Sequence, residues 1–364
     1  MIKVGVYISE KKVVEGASFG VAKHTIGMIN ALNQEDNFEI ILFGSYVIKK
    51  NPSFLFKNFK FYSLPYKTRV LELMWKIFHR PSVDKFLPNI DALYIPGEEL
   101  VPSSKYKIFH TIHDIYHLKE SKWQIRVNLL KFSYKTYLRK VYKILTVSNY
   151  SKKKILEMFN EPDSKLLVLG NGLGFDKKDT SKIKKNDKYH TYITIGGPIK
   201  GKKGGTEILK LCAYLESIDY DLNIYIIGGI DKNYVNIFNN YNFKKTKVFK
   251  NGGLNDEEII DLLFNSLCYL QLSNAEGFGM TVIEAMYLGT PTIINRIPSL
   301  IEISNGSSLI CDNKKIPEII NHINKIKNDI SFRSNLIKAG IRQAKHYQWK
   351  NYSKMLKYEI MKSL

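Results

Sequence analysis

Strands and helices alternate along this chain of 364 residues, and no other feature restricts its possible folds as much. Short apolar runs rich in β-branched residues predict strands, and the segments between them have the apolar spacing of amphipathic helices. The first half contains five predicted strands, at 2–8, 38–43, 92–95, 107–111 and 144–147. The second half contains five more, at 192–195, 222–227, 247–249, 268–272 and 291–295. This order predicts an α/β protein with parallel sheets and helices on both faces.

A polar segment separates the two sets of strands. Residues 177–188 are highly charged and lack apolar periodicity, and the chain is long enough to bury the cores of two domains. We therefore predict two Rossmann-like domains, which would bind ligands at the carboxyl ends of their strands. The predicted parts are an N-terminal domain at 1–173, a linker at 174–188, a C-terminal domain at 189–345 and a final helix at 346–364.

Hydropathy and cysteine usage give expectations about location and redox chemistry. No apolar run reaches the ~20 residues that span a bilayer, and the chain starts directly with a predicted strand rather than a signal peptide. We therefore expect a cytoplasmic protein. The three cysteines are odd in number, lie in apolar surroundings and lack metal-site spacing, which indicates buried free thiols.

The charge of the chain indicates an anionic partner. It has 55 Lys and Arg against 34 Asp and Glu, a formal net charge of +21. The densest basic stretch is 119–165, and a second stretch, 68–80, is basic and amphipathic. The apolar residues of the second stretch are Leu71, Met74, Trp75 and Phe78, and its basic residues are Arg69, Lys76 and Arg80. Such helices suit peripheral binding to an anionic membrane surface, here the inner face of the plasma membrane, but also suit a core-facing helix with a solvated basic face.

Two carboxylates frame a loop in the second half of the chain. Glu276 follows a predicted buried strand, and Glu284 lies within a predicted helix at 280–288 that ends before Gly289. The amides of Gly279, Met280 and Thr281 begin this helix without intrahelical acceptors and would form an anion site for a diphosphate. One carboxylate could then bind sugar hydroxyls and the other a ribose diol. Alternatively, Glu276 occupies an ordinary turn and Glu284 a solvated helix face.

The segment from Glu276 to Glu284, with the following Ala-Met and Gly289-Thr-Pro-Thr, resembles the donor-site motif of family-4 retaining glycosyltransferases with the GT-B fold. The resemblance is to enzymes of bacterial surface polysaccharide synthesis. It implies two Rossmann-like domains that face each other across a cleft, and a final helix that crosses back to the first domain. It also implies a UDP- or GDP-linked hexose as donor, a lipid-linked glycan such as O-antigen, capsule or exopolysaccharide as acceptor, and no metal or other cofactor.

Within this resemblance, donor-binding roles fall on residues that match the family motifs. Glu276 would hold the sugar, Glu284 the ribose and Lys203 the diphosphate. The backbone around Gly277, Phe278, Gly279 and Met280 would contact sugar and phosphate oxygens. In the first domain, a glycine-rich loop at 16–20 that ends with Gly20 would allow close approach of a phosphate or the acceptor.

His113 matches the histidine that contacts the donor sugar near the reacting centre, so the predicted catalytic residues are His113, Glu276 and Lys203. A neutral ring could donate a hydrogen bond to a sugar hydroxyl, with Asp114 or a backbone group fixing its tautomer. His110 and His117 are alternatives, and each of the three could instead be a packed or surface histidine. A metal site is disfavoured, because the turn after the strand would scatter these side chains.

The sequence departs from the family at Gly197, where an arginine is expected. Lys200 and Lys202 could supply the missing positive charge, although as point charges rather than as a bidentate donor. The lysines could also form an ordinary solvated turn. Two other functions stay open: a GT-B nucleotide-sugar epimerase or phosphorylase, and a basic nucleic-acid-binding protein. The second leaves the pair Glu276 and Glu284 unexplained, so no nucleic-acid partner is expected.

Overall fold

The structure is a computed structural model that describes residues 1–9, 20–50, 59–118, 124–175, 192–196, 201–220, 222–228, 231, 234–237, 248–251 and 254–364. The chain forms two compact units, one of Met1–Gly174 with Gln348–Leu364 and the other of Phe175–Tyr347. Of the predicted linker, 176–188 lies outside the described residues, so its extent stays a prediction.

The first unit is built on a seven-stranded parallel sheet with the strand order β3-β2-β1-β4-β5-β6-β7. Its strands are β1 (Ile2–Tyr7), β2 (Phe38–Ser45), β3 (Lys60–Leu64), β4 (Ala92–Ile95), β5 (Lys107–Ile112), β6 (Lys143–Thr146) and β7 (Leu166–Val168). Its helices are α1 (Gly20–Asn33), α2 (Tyr46–Lys50), α3 (Thr68–Phe78), α4 (Gln124–Leu138), α5 (Asn149–Phe159) and the C-terminal helix, here called αC (Trp349–Ser363).

Helices cover both faces of this sheet, as parallel strands require. On one face, Phe43 and Ile108 of the strands pack in a buried cluster with Trp75 of α3. On the other face, Val4 and Met28 share a cluster with residues of αC. The strands are therefore buried on both sides, which explains why they form continuous apolar runs in the sequence.

Helix αC packs on the first unit through an indole ring and two glycines. The Trp349 ring lies so close to Gly27 and Gly172 that a Cβ atom at either glycine would clash with it. The Trp349 Nε1 donates a hydrogen bond to the Leu173 carbonyl oxygen, 2.6 Å away. Further along the helix, Leu356 belongs to the buried cluster of α1 and the sheet. Residues 348–364 thus complete the core of a unit whose other residues are 1–174.

The second unit is built on a six-stranded parallel sheet with the order β10-β9-β8-β11-β12-β13. Its strands are β8 (Tyr192–Gly196), β9 (Asn223–Ile227), β10 (Val248–Asn251), β11 (Tyr269–Gln271), β12 (Thr292–Asn295) and β13 (Leu309–Cys311). Its helices are α6 (Gly205–Ser217), α7 (Asp256–Phe264), α8 (Met280–Tyr287), α9 (Pro298–Ser304), α10 (Ile316–Asn328) and α11 (Ile330–Ala344).

The predicted fold class is confirmed. All ten predicted strands are present within one or two residues of their predicted bounds, and every pairing that the structure describes between neighbouring strands is parallel. The three cysteines are free and buried, as expected. Among the helices of the described residues, none combines the length and the apolar character that crossing a bilayer would need.

Candidate functional site

A loop leads from the carboxyl end of β11 into α8. The helix begins at Met280, as predicted, and Gly279 before it has a φ angle of +111°. A Cβ atom at Gly279 would lie 2.5 Å from Cδ2 of Leu300, so both the backbone angle and the space favour glycine here. Gly279 provides no side-chain cap for the first amides of α8. These amides and the helix dipole are suited to an anion.

The carboxylate of Glu276 in this loop is held by three donors. Its Oε1 accepts hydrogen bonds from Lys203 Nζ at 2.6 Å, Ser273 Oγ at 2.8 Å and Gln271 Nε2 at 3.1 Å. The Glu276 side chain is 12% exposed, which leaves little room for it to move. The two residues predicted to bind sugar and diphosphate are therefore brought together, and they form an ion pair with each other.

Lys203 reaches Glu276 because two loops meet at the carboxyl ends of neighbouring strands. Strands β8 and β11 pair directly, and the turn after β8 contains Gly201–Lys203. The Lys202 carbonyl oxygen accepts a hydrogen bond from the Asn274 amide at 2.9 Å, which joins this turn to the β11–α8 loop. The Lys202 side chain is half-buried. The predicted site residue Lys200 and the departure at Gly197 lie outside the described residues.

A tyrosine and a glutamine support Glu276 from inside the sheet. The Tyr269 hydroxyl donates a hydrogen bond to Gln271 Oε1, and Gln271 Nε2 also donates to Ser273 Oγ at 2.6 Å. Burial, and then the negative charge of Glu276, raises the pKa of Tyr269 well above its usual value. Tyr269 therefore remains a neutral donor, and it fixes which end of the Gln271 amide faces Glu276.

Two asparagines that the sequence analysis missed hold the same loop. Asn295, at the end of β12, donates through Nδ2 to the Ser273 carbonyl oxygen at 2.8 Å. Asn313, just after β13, donates through Nδ2 to the Leu272 carbonyl oxygen and to Asn274 Oδ1, both at 2.8 Å. Both asparagines are buried. Their position directly after two neighbouring strands could have indicated this role, since such ends meet at one edge of a parallel sheet.

Glu284 lies inside α8 and is 2% exposed. The alternative of a solvated helix residue is therefore wrong. A buried carboxylate is costly unless polar groups satisfy it. Near the helix, Phe278 is buried, and its ring meets the ring of Tyr347 edge-on at 5.6 Å.

His113 lies in the first unit, directly after β5, and is largely buried. Its Nε2 is 2.9 Å from the Pro96 carbonyl oxygen, an acceptor that requires a proton on Nε2. In the neutral ring, Nδ1 then carries the lone pair and accepts rather than donates. A backbone group thus fixes the tautomer, while Asp114 accepts a hydrogen bond from the Tyr116 amide at 3.0 Å.

A second histidine, which the sequence analysis did not single out, contacts His113. The rings of His24 and His113 meet edge-on, with 4.6 Å between their centres. His24 Nδ1 lies 2.6 Å from Asn171 Oδ1, and its Nε2 lies 2.8 Å from the Tyr94 hydroxyl. Burial, and then the proximity of His113, holds the pKa of His24 well below its usual value, so the ring is neutral.

The other histidines considered in the sequence have different surroundings. His110 is fully buried, and its Nε2 lies 2.6 Å from the Gly97 carbonyl oxygen, which indicates a packed core histidine. The side chain of His117 lies outside the described part of the structure. Gly20 is the first residue of α1. Within the residues that the structure describes, no group of His, Cys, Asp or Glu side chains could hold a metal ion.

Known proteins are similar to this chain in sequence and in fold. A family model described as glycosyl transferases group 1 matches residues 175–343. The O-antigen chain mannosyltransferase B of Escherichia coli is 24% identical over 278 residues, which cover 72% of each chain. The O-antigen chain mannosyltransferase RfbU of Salmonella typhimurium is 24% identical over 241 residues, which cover 62% of this chain and 64% of the relative.

Solved structures match the whole chain. Sucrose-phosphate synthase from Thermosynechococcus elongatus superposes with a TM-score of 0.75 at 14% identity and covers 100% of this chain and 99% of its own. The HepE protein of Anabaena, solved in complex with UDP, gives a TM-score of 0.68 at 14% identity and covers 100% of both chains. Together with the two parallel sheets, these matches establish the GT-B fold. The chain is therefore a glycosyltransferase of the GT-B fold, and its residues 175–343 match the model of the glycosyl transferases group 1 family.

Proposed function

We propose that the protein transfers a hexose from a nucleoside diphosphate sugar to a hydroxyl of a lipid-linked bacterial surface glycan, with retention of configuration. The observation that carries the donor part is the meeting of Lys203, Glu276 and the start of α8 at the carboxyl ends of β8 and β11. The Lys203 ammonium and the first amides of α8 could then bind the diphosphate, and the Glu276 carboxylate could accept hydrogen bonds from the sugar hydroxyls beside it. The two O-antigen mannosyltransferase relatives favour a mannosyl group and an O-antigen type of acceptor.

In this proposal, the donor gives both members of the Lys203–Glu276 ion pair a new binding partner. The Lys203 ammonium, which lies 2.6 Å from Glu276 Oε1, would also contact the diphosphate. Glu276 would accept hydrogen bonds from the sugar hydroxyls while Gln271 and Ser273 keep its carboxylate in place. Lys203 and the amides of α8 would stabilise the charge that develops on the departing diphosphate.

The residues assigned to the donor site contain no evident nucleophile, so we propose front-face attack by the acceptor hydroxyl. The bond from the anomeric carbon to the diphosphate oxygen breaks, and the new glycosidic bond forms on the same face of the sugar. The departing phosphate oxygen takes the hydroxyl proton. Catalysis would then depend on positioning and on electrostatic stabilisation, without a metal ion or other cofactor.

Binding of nucleotide sugars tests the donor site. Calorimetry with UDP-, GDP-, ADP- and dTDP-sugars should give selective binding to one base. The Glu284→Ala variant should lose ~1.5–3 kcal/mol of that binding free energy, the range for a hydrogen bond to a charged group. A Glu302→Ala variant on α9 provides a control at a partly exposed carboxylate. Equal affinity of wild type and Glu284→Ala would exclude the ribose role of Glu284.

Product analysis tests the reaction. With labelled donor and a lipid-linked glycan acceptor, we expect the label in the glycan, with the anomeric configuration of the donor, and unchanged transfer in the presence of EDTA. An epimerase would change the donor sugar in the absence of acceptor, and a phosphorylase would require phosphate. Either of these results would contradict the proposed transfer.

A further inference from the structure

Two neighbouring helices of the first unit expose apolar side chains to solvent. On α3 these are Val70, Leu73 and Ile77, which are 48%, 58% and 57% exposed. On α4 they are Ile125, Leu129 and Phe132, which are 78%, 66% and 71% exposed. Spacings of three and four residues place each set along one side of its helix. We call these six residues the apolar stripes.

The apolar stripe of α3 is not the side that packs in the core. Leu71 and Trp75 of the same helix are buried against the sheet of the first unit. The sequence left both a membrane-facing and a core-facing side open for these two residues, and the structure places them on the core-facing side. Of the four apolar residues considered there, Phe78 is exposed, at 67%. The outward apolar side chains are therefore additional to those that stabilise the fold.

The two stripes lie on helices that are joined to each other. Ser133 of α4 bonds through Oγ to His79 Nε2, 3.0 Å away, and donates to the Lys76 carbonyl oxygen. Ser133 directly follows Phe132, and Lys76 directly precedes Ile77, so the polar contact lies beside both stripes. The helices therefore present their apolar side chains from one part of the surface.

Basic residues are frequent on the segments that carry the stripes. The segments 67–80 and 124–140 together contain nine Lys and Arg and one acidic residue, Glu72. The carboxylate of Glu72 accepts a hydrogen bond from Ser9 Oγ at 3.0 Å. Six of the basic side chains are exposed: Lys67, Arg69, Arg80, Lys135, Arg139 and Lys140. Aliphatic and aromatic side chains with a cationic border match a lipid surface of negative charge.

We propose that α3 and α4 dock the first unit on an anionic membrane, with the apolar stripes inserted into the interfacial layer and the basic side chains at the lipid headgroups. The inference deepens the proposed function, because a lipid-linked acceptor is presented at such a surface. A nucleic acid would match the positive charge, but it offers no apolar layer for Leu73, Ile77, Ile125 and Leu129. An anionic lipid surface would bind both the basic side chains and the apolar stripes.

Flotation with vesicles tests this surface. Wild-type protein should float with vesicles of equal parts phosphatidylglycerol and phosphatidylethanolamine at low salt, and should float less at high salt and with phosphatidylcholine alone. The triple variant Ile125→Ser, Leu129→Ser, Phe132→Ser should bind the anionic vesicles at least about tenfold more weakly, given the apolar area removed. Because all three residues are largely exposed, the variant should unfold at the wild-type temperature.

A single substitution has a matched control. Ile125→Ser should weaken vesicle binding, whereas Ile330→Ser should not, although Ile330 is also exposed, at 71%, on α11 of the second unit. Equal vesicle binding by wild type and triple variant would overturn the proposal. So would a wild-type dimer that dissociates in the triple variant without any vesicle binding, since the stripes would then join two copies of this chain.

Calorimetry with the donor panel on the same proteins separates this proposal from the proposed function. Donor binding that persists in the triple variant while flotation is lost supports the docking surface. Flotation that depends on the stripes, in a protein without affinity for any nucleotide sugar, would contradict the proposed transfer and retain the docking surface. Donor binding without flotation would contradict the docking surface and retain the proposed transfer.

Discussion

At the scale of single residues, the site in the second unit is organised around one carboxylate oxygen. Glu276 Oε1 accepts hydrogen bonds from Lys203, Ser273 and Gln271. Of these three, Gln271 is the one that the sheet itself orients, through the neutral Tyr269 hydroxyl. Gln271, which no sequence motif marks as functional, therefore orients Glu276. The proposed mechanism has Glu276 contact the sugar.

This arrangement predicts that Gln271 positions Glu276. Gln271→Leu has a similar shape but removes the donor and leaves the buried Tyr269 hydroxyl without its acceptor, so it should cost ~1–3 kcal/mol of unfolding free energy. It should also lower kcat while affinity for the free nucleoside diphosphate stays the same, because the sugar contact alone is disturbed. Steady-state kinetics and nucleotide calorimetry measure the two effects.

Gln343→Leu is the matched control for stability. Gln343 donates through Nε2 to the Ile303 carbonyl oxygen at 2.9 Å and to the Tyr347 hydroxyl at 3.1 Å, in the same unit. Its loss should lower stability without changing kcat. If Gln271→Leu and Gln343→Leu affected kcat equally, Gln271 would be a structural residue only.

At the scale of helices and strands, burial decides which strands could be predicted from the sequence. The ten predicted strands have apolar runs that both faces of a parallel sheet require. The three missed strands, β3, β7 and β13, all lie at sheet edges, and their residues are partly exposed. Edge strands need no continuous apolar run, so periodicity could not identify them.

The same reasoning applies to the site. The loop of Glu276 could be predicted because its residues are adjacent in sequence. Asn295 and Asn313 were missed because they act on that loop from other strands, after long connections. The partners of His113 were missed for the same reason, since His24 and Pro96 come from separate segments.

The buried histidine of α1 predicts a pH dependence of stability. Its pKa is depressed in the folded protein, so the unfolded chain binds a proton first as the pH falls below about 6.5. The contribution of His24 to stability is therefore present above about pH 6.5 and is lost as the pH falls from there towards the folded pKa. Each pH unit in that window should remove up to ~1.4 kcal/mol of unfolding free energy.

Urea denaturation at pH 7.5 and pH 5.5 measures this effect. The three tryptophans of the chain all lie in residues 1–174 and 348–364, so their fluorescence reports on the first unit. His24→Gln should reduce the difference in stability between the two pH values, and His346→Gln, at an exposed position of the second unit, should not. The same pH dependence in wild type and His24→Gln would contradict the assignment.

At the scale of the whole molecule, the first unit is discontinuous in sequence. Residues 175–347 form the second unit, and helix αC then returns to the first. Trp349 anchors this return through Gly27, Gly172 and the Leu173 carbonyl oxygen. The stability of the first unit should therefore depend on a segment that follows the entire second unit.

Trp349→Ala tests this dependence. Removal of the ring would leave a cavity beside two glycines that cannot fill it, and because Trp349 is partly exposed we expect a loss at the lower end of ~3–5 kcal/mol of unfolding free energy. Fluorescence of the two remaining tryptophans, Trp75 and Trp123, can monitor unfolding of the first unit in urea. Tyr358→Ala, at a residue of αC that is 64% exposed, should change stability little. A Trp349→Ala protein as stable as the wild type would show that αC is dispensable for the first unit.

The position of αC in the sequence also has a consequence for synthesis on the ribosome. Residues 1–174 emerge first, but their last helix is made only after the 173 residues of 175–347. At ~5–20 residues per second, translation of that interval takes about 10–35 s, during which the surface for αC, including Gly27 and Gly172, waits without its helix. The nascent first unit thus exposes an apolar surface for tens of seconds, and a chaperone that covers such surfaces would have its main opportunity there.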